Sequence, residues 1–164
     1  MRMDKLTTKL QMAIADAQSL AIGRDNQFIE PEHLLLALLD QQDGAAKPLL
    51  GKAGVNVSVL RAALEQAINA LPQVSGTGGD VQMSSASGKL LNTTDKLAQQ
   101  GGDQFISSEL VLLAALQNGG SAASLLKNPG AKADALQKAI EQVRGGESVQ
   151  DANAEENRQA LDKY

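Results

Sequence analysis

Apolar residues at the start of the chain recur at three- and four-residue intervals, which places them on one face of an α-helix. Asp4 is predicted to be the N-cap of this helix and Gly23 to end it, since these residue types favour helix termini. The sequence therefore predicts a first helix over residues 5–22. Its apolar face consists of Leu6, Leu10, Ala13, Ile14, Ala17 and Ala21.

The same pattern of apolar and polar positions then occurs twice, in two 13-residue segments that we call the repeated phrase. Residues 27–39 read QFIEPEHLLLALL and residues 104–116 read QFISSELVLLAAL. Glu30 and Ser107 are the predicted N-caps, each preceded by an isoleucine that can pack on the fourth helical residue. The similarity extends along both halves, so each half should contain four helices. They are predicted near 5–22, 31–41, 45–53 and 57–71, and near 84–100, 108–118, 121–128 and 133–144.

Two copies are too few for a solenoid, which needs about three repeats to bury its faces. A duplicated unit of this size can instead close on itself around a pseudo-twofold axis. The apolar residues are mainly Leu, Ala, Ile and Val, with two Phe, one Tyr and no Trp. Leucine and alanine favour helices, so the predicted fold is all-α, with about eight helices in a duplicated four-helix repeat.

The domain organisation follows from composition. Repeat one is placed at about 1–71 and repeat two at about 84–146, with a connecting loop at 72–83 that is rich in glycine. Together they form one predicted domain, 1–146. Residues 147–164 are polar and acidic, and are predicted to be a linker that leads away from the domain.

Charge and cysteine content exclude several function classes. The net charge is −4 without a basic cluster, which argues against nucleic acid as a partner. The chain has no cysteine, so it can form neither a disulfide nor a thiolate metal site. No apolar run is long enough to cross a membrane, and the N-terminus does not resemble a signal peptide. A cytoplasmic location is therefore expected.

No catalytic motif is found. The GTGGD run at 76–80 lacks the preceding strand and the Gly-Lys-Ser/Thr ending of a phosphate-binding loop, so we interpret it as part of a linker. His33 is the only histidine and has no partners for a triad or a metal site, and we interpret it as a surface residue. The sequence does not predict an enzyme.

The two copies differ at one informative position, where repeat one has His33 and repeat two has Leu110. If His33 is exposed, Leu110 is an exposed leucine and a candidate binding contact. The alternative is that the connecting loop or the other repeat covers Leu110. Thr7 and Glu109 lie in the first turns of predicted helices, and Asp103 lies in a predicted turn between helices. Local structure alone therefore accounts for these three residue types.

These segments together resemble a known family. MRMDKLTTKLQMAIADAQSLA, the repeated QFI phrase, LPQVSGTGGDVQ and RGGESVQDANAEENRQALDKY are similar to the N-terminal domains of Clp-type AAA+ chaperones. The GTGGD loop and the NRQALDKY ending indicate the disaggregase branch of that family. The resemblance covers the whole chain and implies that it is a domain excised from a longer protein, whose missing ATPase modules hold ATP and Mg.

The resemblance also implies a function and a site. Such domains bind unfolded or aggregated polypeptide through an apolar groove with polar edges, and pass it to the ATPase ring. The polar positions carry over to Thr7, Asp103 and Glu109, and the apolar floor carries over to Leu91 and Leu110. The implied partners of the full-length protein are a homohexamer and a DnaK-type chaperone system, whereas the isolated domain is expected to be a monomer. The alternative function is docking of one folded adaptor.

Overall fold

The computed structural model describes residues 2–74 and 81–155. A short 3-10 turn, Met3–Lys5, comes first, and the two-residue strands β1 (Phe28–Ile29) and β2 (Gln82–Met83) precede α2 and α5. The described residues contain eight α-helices, which confirms the all-α prediction and the position of every predicted helix. These are α1 Thr8–Gly23, α2 Pro31–Asp40, α3 Ala46–Lys52, α4 Val57–Asn69, α5 Ser85–Gln100, α6 Ser108–Asn118, α7 Gly120–Lys127 and α8 Ala133–Arg144.

The first helix begins later than predicted. Thr7, not Asp4, is its N-cap: the Thr7 hydroxyl accepts a hydrogen bond from the Leu10 N–H at 3.3 Å. Asp4 lies in the 3-10 turn. The helix starts later because Leu6 is extended where it pairs with Ile106, and an extended residue cannot continue a helix.

The two repeats are joined by a pair of equivalent contacts. Ile29 of β1 lies opposite Met83 of β2 in a parallel pair, and Leu6 forms a parallel bridge with Ile106. In the repeat alignment Ile29 corresponds to Ile106, and Met83 corresponds to Leu6. Each repeat therefore pairs its repeated phrase with the residue that leads into the other repeat's first helix. This arrangement is the predicted pseudo-twofold symmetry.

Helix packing obeys the same correspondence. Helix α1 packs on α2 as α5 packs on α6, and α3 packs on α8 as α4 packs on α7. At the centre lie α2 and α6, in which residues 31–39 and 108–116 are buried without interruption. A helix that is apolar on all sides must be covered on all sides. The core is thus built around the two copies of the repeated phrase.

The connecting loop begins and ends in contact with repeat one. Gln73 forms an antiparallel bridge with Asn26, and the Val74 N–H donates to the Asp25 carbonyl at 2.8 Å. At the other end of the loop, Gln82 pairs with Phe28 in the small sheet. The GTGGD run and the ALDKY ending lie outside the described residues.

His33 is buried, so the prediction of a surface residue is wrong. Its Nδ1 accepts a hydrogen bond from the Glu30 N–H at 2.8 Å, and its Nε2 lies 2.9 Å from Asn26 Oδ1. Since Nδ1 accepts, the proton of the neutral ring is on Nε2, which donates to Asn26. The histidine thus closes the N-terminus of α2 and ties it to the preceding turn.

The burial of His33 predicts acid sensitivity. Burial, and then the positive charge of Arg24, lower the pKa of His33 to about 4 from 6.5. Between these values the unfolded chain binds a proton that the folded chain does not. The stability that neutral, buried His33 contributes to the folded state is therefore present above pH 6.5 and is lost as the pH falls toward 4. We expect the free energy of unfolding to fall by about 1.5 kcal/mol between pH 6.5 and 5 from this group alone.

Urea unfolding at a series of pH values measures this loss, with His33→Gln as the comparison. Glutamine does not titrate, so stability should fall less steeply with acidification in the variant than in the parent chain. Parallel pH profiles for the two proteins would contradict the assignment.

Candidate functional site

The five predicted site residues are all buried. Leu91 of α5 and Leu110 of α6 are 2% and 7% exposed, and both belong to the hydrophobic core formed where these helices pack. Of the two alternatives for Leu110, the structure therefore supports the second, in which the side chain is covered. Thr7, Asp103 and Glu109 are exposed by 5% or less and lie near the starts of α1 and α6.

Arg144, which no sequence motif indicates, joins two of these residues. This last residue of α8 forms ion pairs with Asp103 Oδ2 at 2.9 Å and with Glu109 Oε1 at 3.0 Å. It also donates to the Ser107 hydroxyl at 3.0 Å. Burial by itself would lower the pKa of Arg144, but the charges of Glu109 and Asp103 outweigh it and raise the pKa above its usual value. The guanidinium is therefore held in its charged form between two buried carboxylates.

A segment from the C-terminal part of the chain lies over this cluster. We call residues 148–155 the covering segment. Val149 is 3% exposed; its N–H donates to Asp103 Oδ1 at 2.9 Å and its carbonyl accepts from the Gln104 N–H at 2.8 Å. Farther along, the Ala152 carbonyl accepts from the Thr8 N–H at 2.8 Å. The first part of the predicted linker, which begins at 147, is thus packed against the helices.

Glu155 ends the described part of the covering segment and reaches Thr7. Its carboxylate accepts a hydrogen bond from the Thr7 hydroxyl and lies 3.4 Å from the Ser108 nitrogen in the first turn of α6. A helix N-terminus favours an anionic group. Burial, and then the nearby charge of Glu109, raise the pKa of Glu155. The covering segment therefore places a buried carboxylate between the starts of α1 and α6.

An open cleft lies near the corresponding position, at the start of α2, and residues of both repeats line it. It has a volume of about 420 Å³ and is lined in part by Pro31, Ala86 and Leu90. Pro31 corresponds to Ser108 in the repeat alignment, but proline has no N–H with which to hold a carboxylate. In the same cleft Glu32 accepts a hydrogen bond from the Ser121 hydroxyl at 3.2 Å, and burial raises its pKa. The pseudo-symmetry is therefore broken at the surface, where one site is covered and its counterpart is open.

Within residues 2–74 and 81–155 no helix is both long enough and apolar enough to cross a bilayer. In the same residues no cluster of three or more His, Cys, Asp or Glu side chains could hold a metal ion.

The sequence profile of the family described as "Clp repeat (R) N-terminal domain" matches residues 5–129. The chain belongs to this family. Over all 164 of its residues, the chain is 56% identical to the chaperone protein ClpB of Pseudomonas putida and 53% identical to that of Vibrio cholerae. The chain spans 19% of the length of these relatives and matches their N-terminal region.

Solved structures agree with the fold of this Clp N-terminal domain. The N-terminal domain of Hsp104 from Candida albicans superposes with a TM-score of 0.81 at 22% identity, covering 92% of this chain and 99% of that one. The N-terminal domain of ClpD from Arabidopsis thaliana gives a TM-score of 0.65 at 21% identity, covering 88% and 98%. The duplicated helical fold is therefore common to relatives with little sequence in common.

Proposed function

We propose that this Clp N-terminal domain binds unfolded or aggregated polypeptide weakly, near Thr7, Leu91, Asp103, Glu109 and Leu110, and passes it to the ATPase ring of a ClpB-type disaggregase. Membership of the family supports the proposal. The observation that carries it is the covering segment: the surface at Asp103, Gln104 and Thr8 already accommodates a polypeptide, largely through main-chain hydrogen bonds.

Contacts of this kind suit a domain that must accept many sequences. Hydrogen bonds to main-chain groups do not depend on side-chain identity, and burial of aliphatic groups such as Val149 is not directional. Each such interaction is weak, which allows release. In a homohexamer several N-terminal domains can hold one client, so that avidity increases the overall affinity. ATP and Mg would act in the ATPase modules, with a DnaK-type system as a further partner in the cytoplasm.

An NMR titration of the isotope-labelled domain with a permanently unfolded protein tests the proposal. We expect amide shift changes at Thr7, Thr8, Gln104 and Ser108, with an apparent Kd in the micromolar range or weaker. The native form of the same protein, which buries its apolar residues, serves as the control and should leave these amides unchanged.

Other patterns of shift changes would overturn this assignment. Changes confined to the open cleft near Pro31 and Ala86 would place the client in that cleft instead. No change with any unfolded protein would favour the other function, docking of one folded adaptor.

A further inference from the structure

The covering segment is held at both ends by groups that a polypeptide ligand would also need. At one end the side chain of Asp103 and the amide of Gln104 bind the main chain of Val149 on both sides, at 2.9 and 2.8 Å. A residue bound through its own N–H and C=O is held by its main chain, whatever its side chain. The Val149 side chain meanwhile occupies a buried position.

At the other end the contacts recognise an acidic side chain. The Glu155 carboxylate is 4% exposed and contacts the hydroxyl of Thr7 and the first turn of α6 at Ser108. Between the ends, Thr8 donates its N–H to the Ala152 carbonyl, and its hydroxyl hydrogen-bonds to Asn153 Oδ1 at 2.9 Å. The site thus contacts a chain at an aliphatic residue and at a carboxylate six residues later.

We propose that residues 148–155 are an internal ligand of the client site, and that the site takes client segments that turn, as residues 151–155 do, between an aliphatic residue and a carboxylate six positions later. This inference rests on the proposed function. A client and the covering segment cannot both accept hydrogen bonds from the amides of Thr8 and Gln104, so the two compete. The apparent client affinity is then reduced in proportion to the fraction of molecules in which the segment is bound.

The arrangement of charges favours a segment that can be released. Glu155 lies near the carboxylate of Glu109, whose charge disfavours a second buried anion. Arg144 offsets the charge of Glu109 at 3.0 Å but has no hydrogen bond or ion pair with Glu155 among the described contacts. The segment is therefore anchored by hydrogen bonds and by Val149, without a strong ion pair to Arg144.

The test weakens both anchors of the covering segment and measures client binding. The variant is Val149→Ser/Glu155→Ala. The matched control is Glu147→Ala, which removes an exposed carboxylate just before the segment. Fluorescence anisotropy with a labelled, permanently unfolded protein gives the Kd for each chain. We expect the Kd of the double variant to be about tenfold lower than that of the parent chain, which corresponds to a covering segment that is bound in about 90% of the parent molecules. The Kd of the control should equal that of the parent chain.

Hydrogen exchange shows whether the segment has been released. In the double variant the amides of Thr8 and Gln104 should exchange faster, whereas that of Leu39 in the core of α2 should be unchanged. A peptide with the sequence of residues 148–155 should compete with the client for the double variant, and a peptide with glutamine in place of its glutamate should compete at least several-fold less well.

The outcomes separate the two proposals. If neither the parent chain nor the double variant binds the unfolded protein, the proposed function fails. If the parent chain binds and the double variant binds equally or more weakly although Thr8 and Gln104 exchange faster, the function stands and the internal ligand is ruled out. Equal competition by the two peptides would overturn the requirement for a carboxylate.

Discussion

Replacing Arg144 with leucine is expected to lower the free energy of unfolding by about 3–5 kcal/mol, the usual result of removing one partner from a buried ionic group. The side chains of Asp103 and Glu109 have no solvent exposure, so water cannot replace the guanidinium. Leucine retains apolar volume but has no donor for either carboxylate. Chemical denaturation monitored by circular dichroism measures the change.

Arg61→Leu is the matched control for this prediction. Arg61 also pairs with a carboxylate, Asp40, at 2.8 Å, but the two side chains are 45% and 42% exposed. An ion pair of this kind contributes about 1 kcal/mol or less. Similar losses of stability in the Arg144 and Arg61 variants would contradict the expectation that burial makes the loss of Arg144 the more costly.

Replacing Leu110 with serine is expected to lower the free energy of unfolding by about 3–4 kcal/mol. The substitution leaves a cavity in the packing between α5 and α6 and introduces a hydroxyl at a position that is 7% exposed. Met12→Ser, at a position on α1 that is 48% exposed, is the control and should cost less than about 1 kcal/mol. Thermal and urea unfolding of the two variants measure the difference.

An effect of Leu110→Ser confined to client binding, with stability unchanged, would contradict this prediction and restore Leu110 as a surface contact. If stability falls as expected, a loss of client binding in this variant reports partial unfolding and does not locate the client site. The variants of the covering segment then give the more direct test.

The sequence was sufficient to predict the helices because the signals that determine them are local. The repeated phrase carries its caps and its helical periodicity within 13 residues, so α2 and α6 begin at the predicted residues. Local sequence predicts Asp4 as the cap, but the helix start is decided by the pairing of Leu6 with Ile106, which lies 100 residues away.

The wrong prediction for His33 is also the reason why an exposed Leu110 was one of two alternatives. Taking His33 as exposed made its counterpart Leu110 exposed as well. A contrary signal was present in LLLALL and VLLAAL, which leave neither helix a polar face and predict that both are covered on all sides. A histidine in such a helix needs hydrogen-bond partners within the fold, and Asn26 was available.

The Arg144 cluster and the covering segment could not be predicted from local patterns. Arg144 lies 35 residues from Glu109 and 41 from Asp103, and an arginine in the last turn of a helix is explained by the helix dipole alone. Between α8 and residue 155, Val149 is the only Val, Leu or Ile, and it is the available signal that the chain is still packed.

The two cross-repeat pairs have a consequence for how such a domain could have originated. Since Ile29 pairs with Met83 and Ile106 pairs with Leu6, each repeat completes the other and neither completes itself. Two separate copies of a single repeat could make both pairs in an isologous dimer. Gene duplication and fusion would then replace a concentration-dependent association by a covalent connection, after which the two surfaces could diverge, one to be covered and the other to stay open.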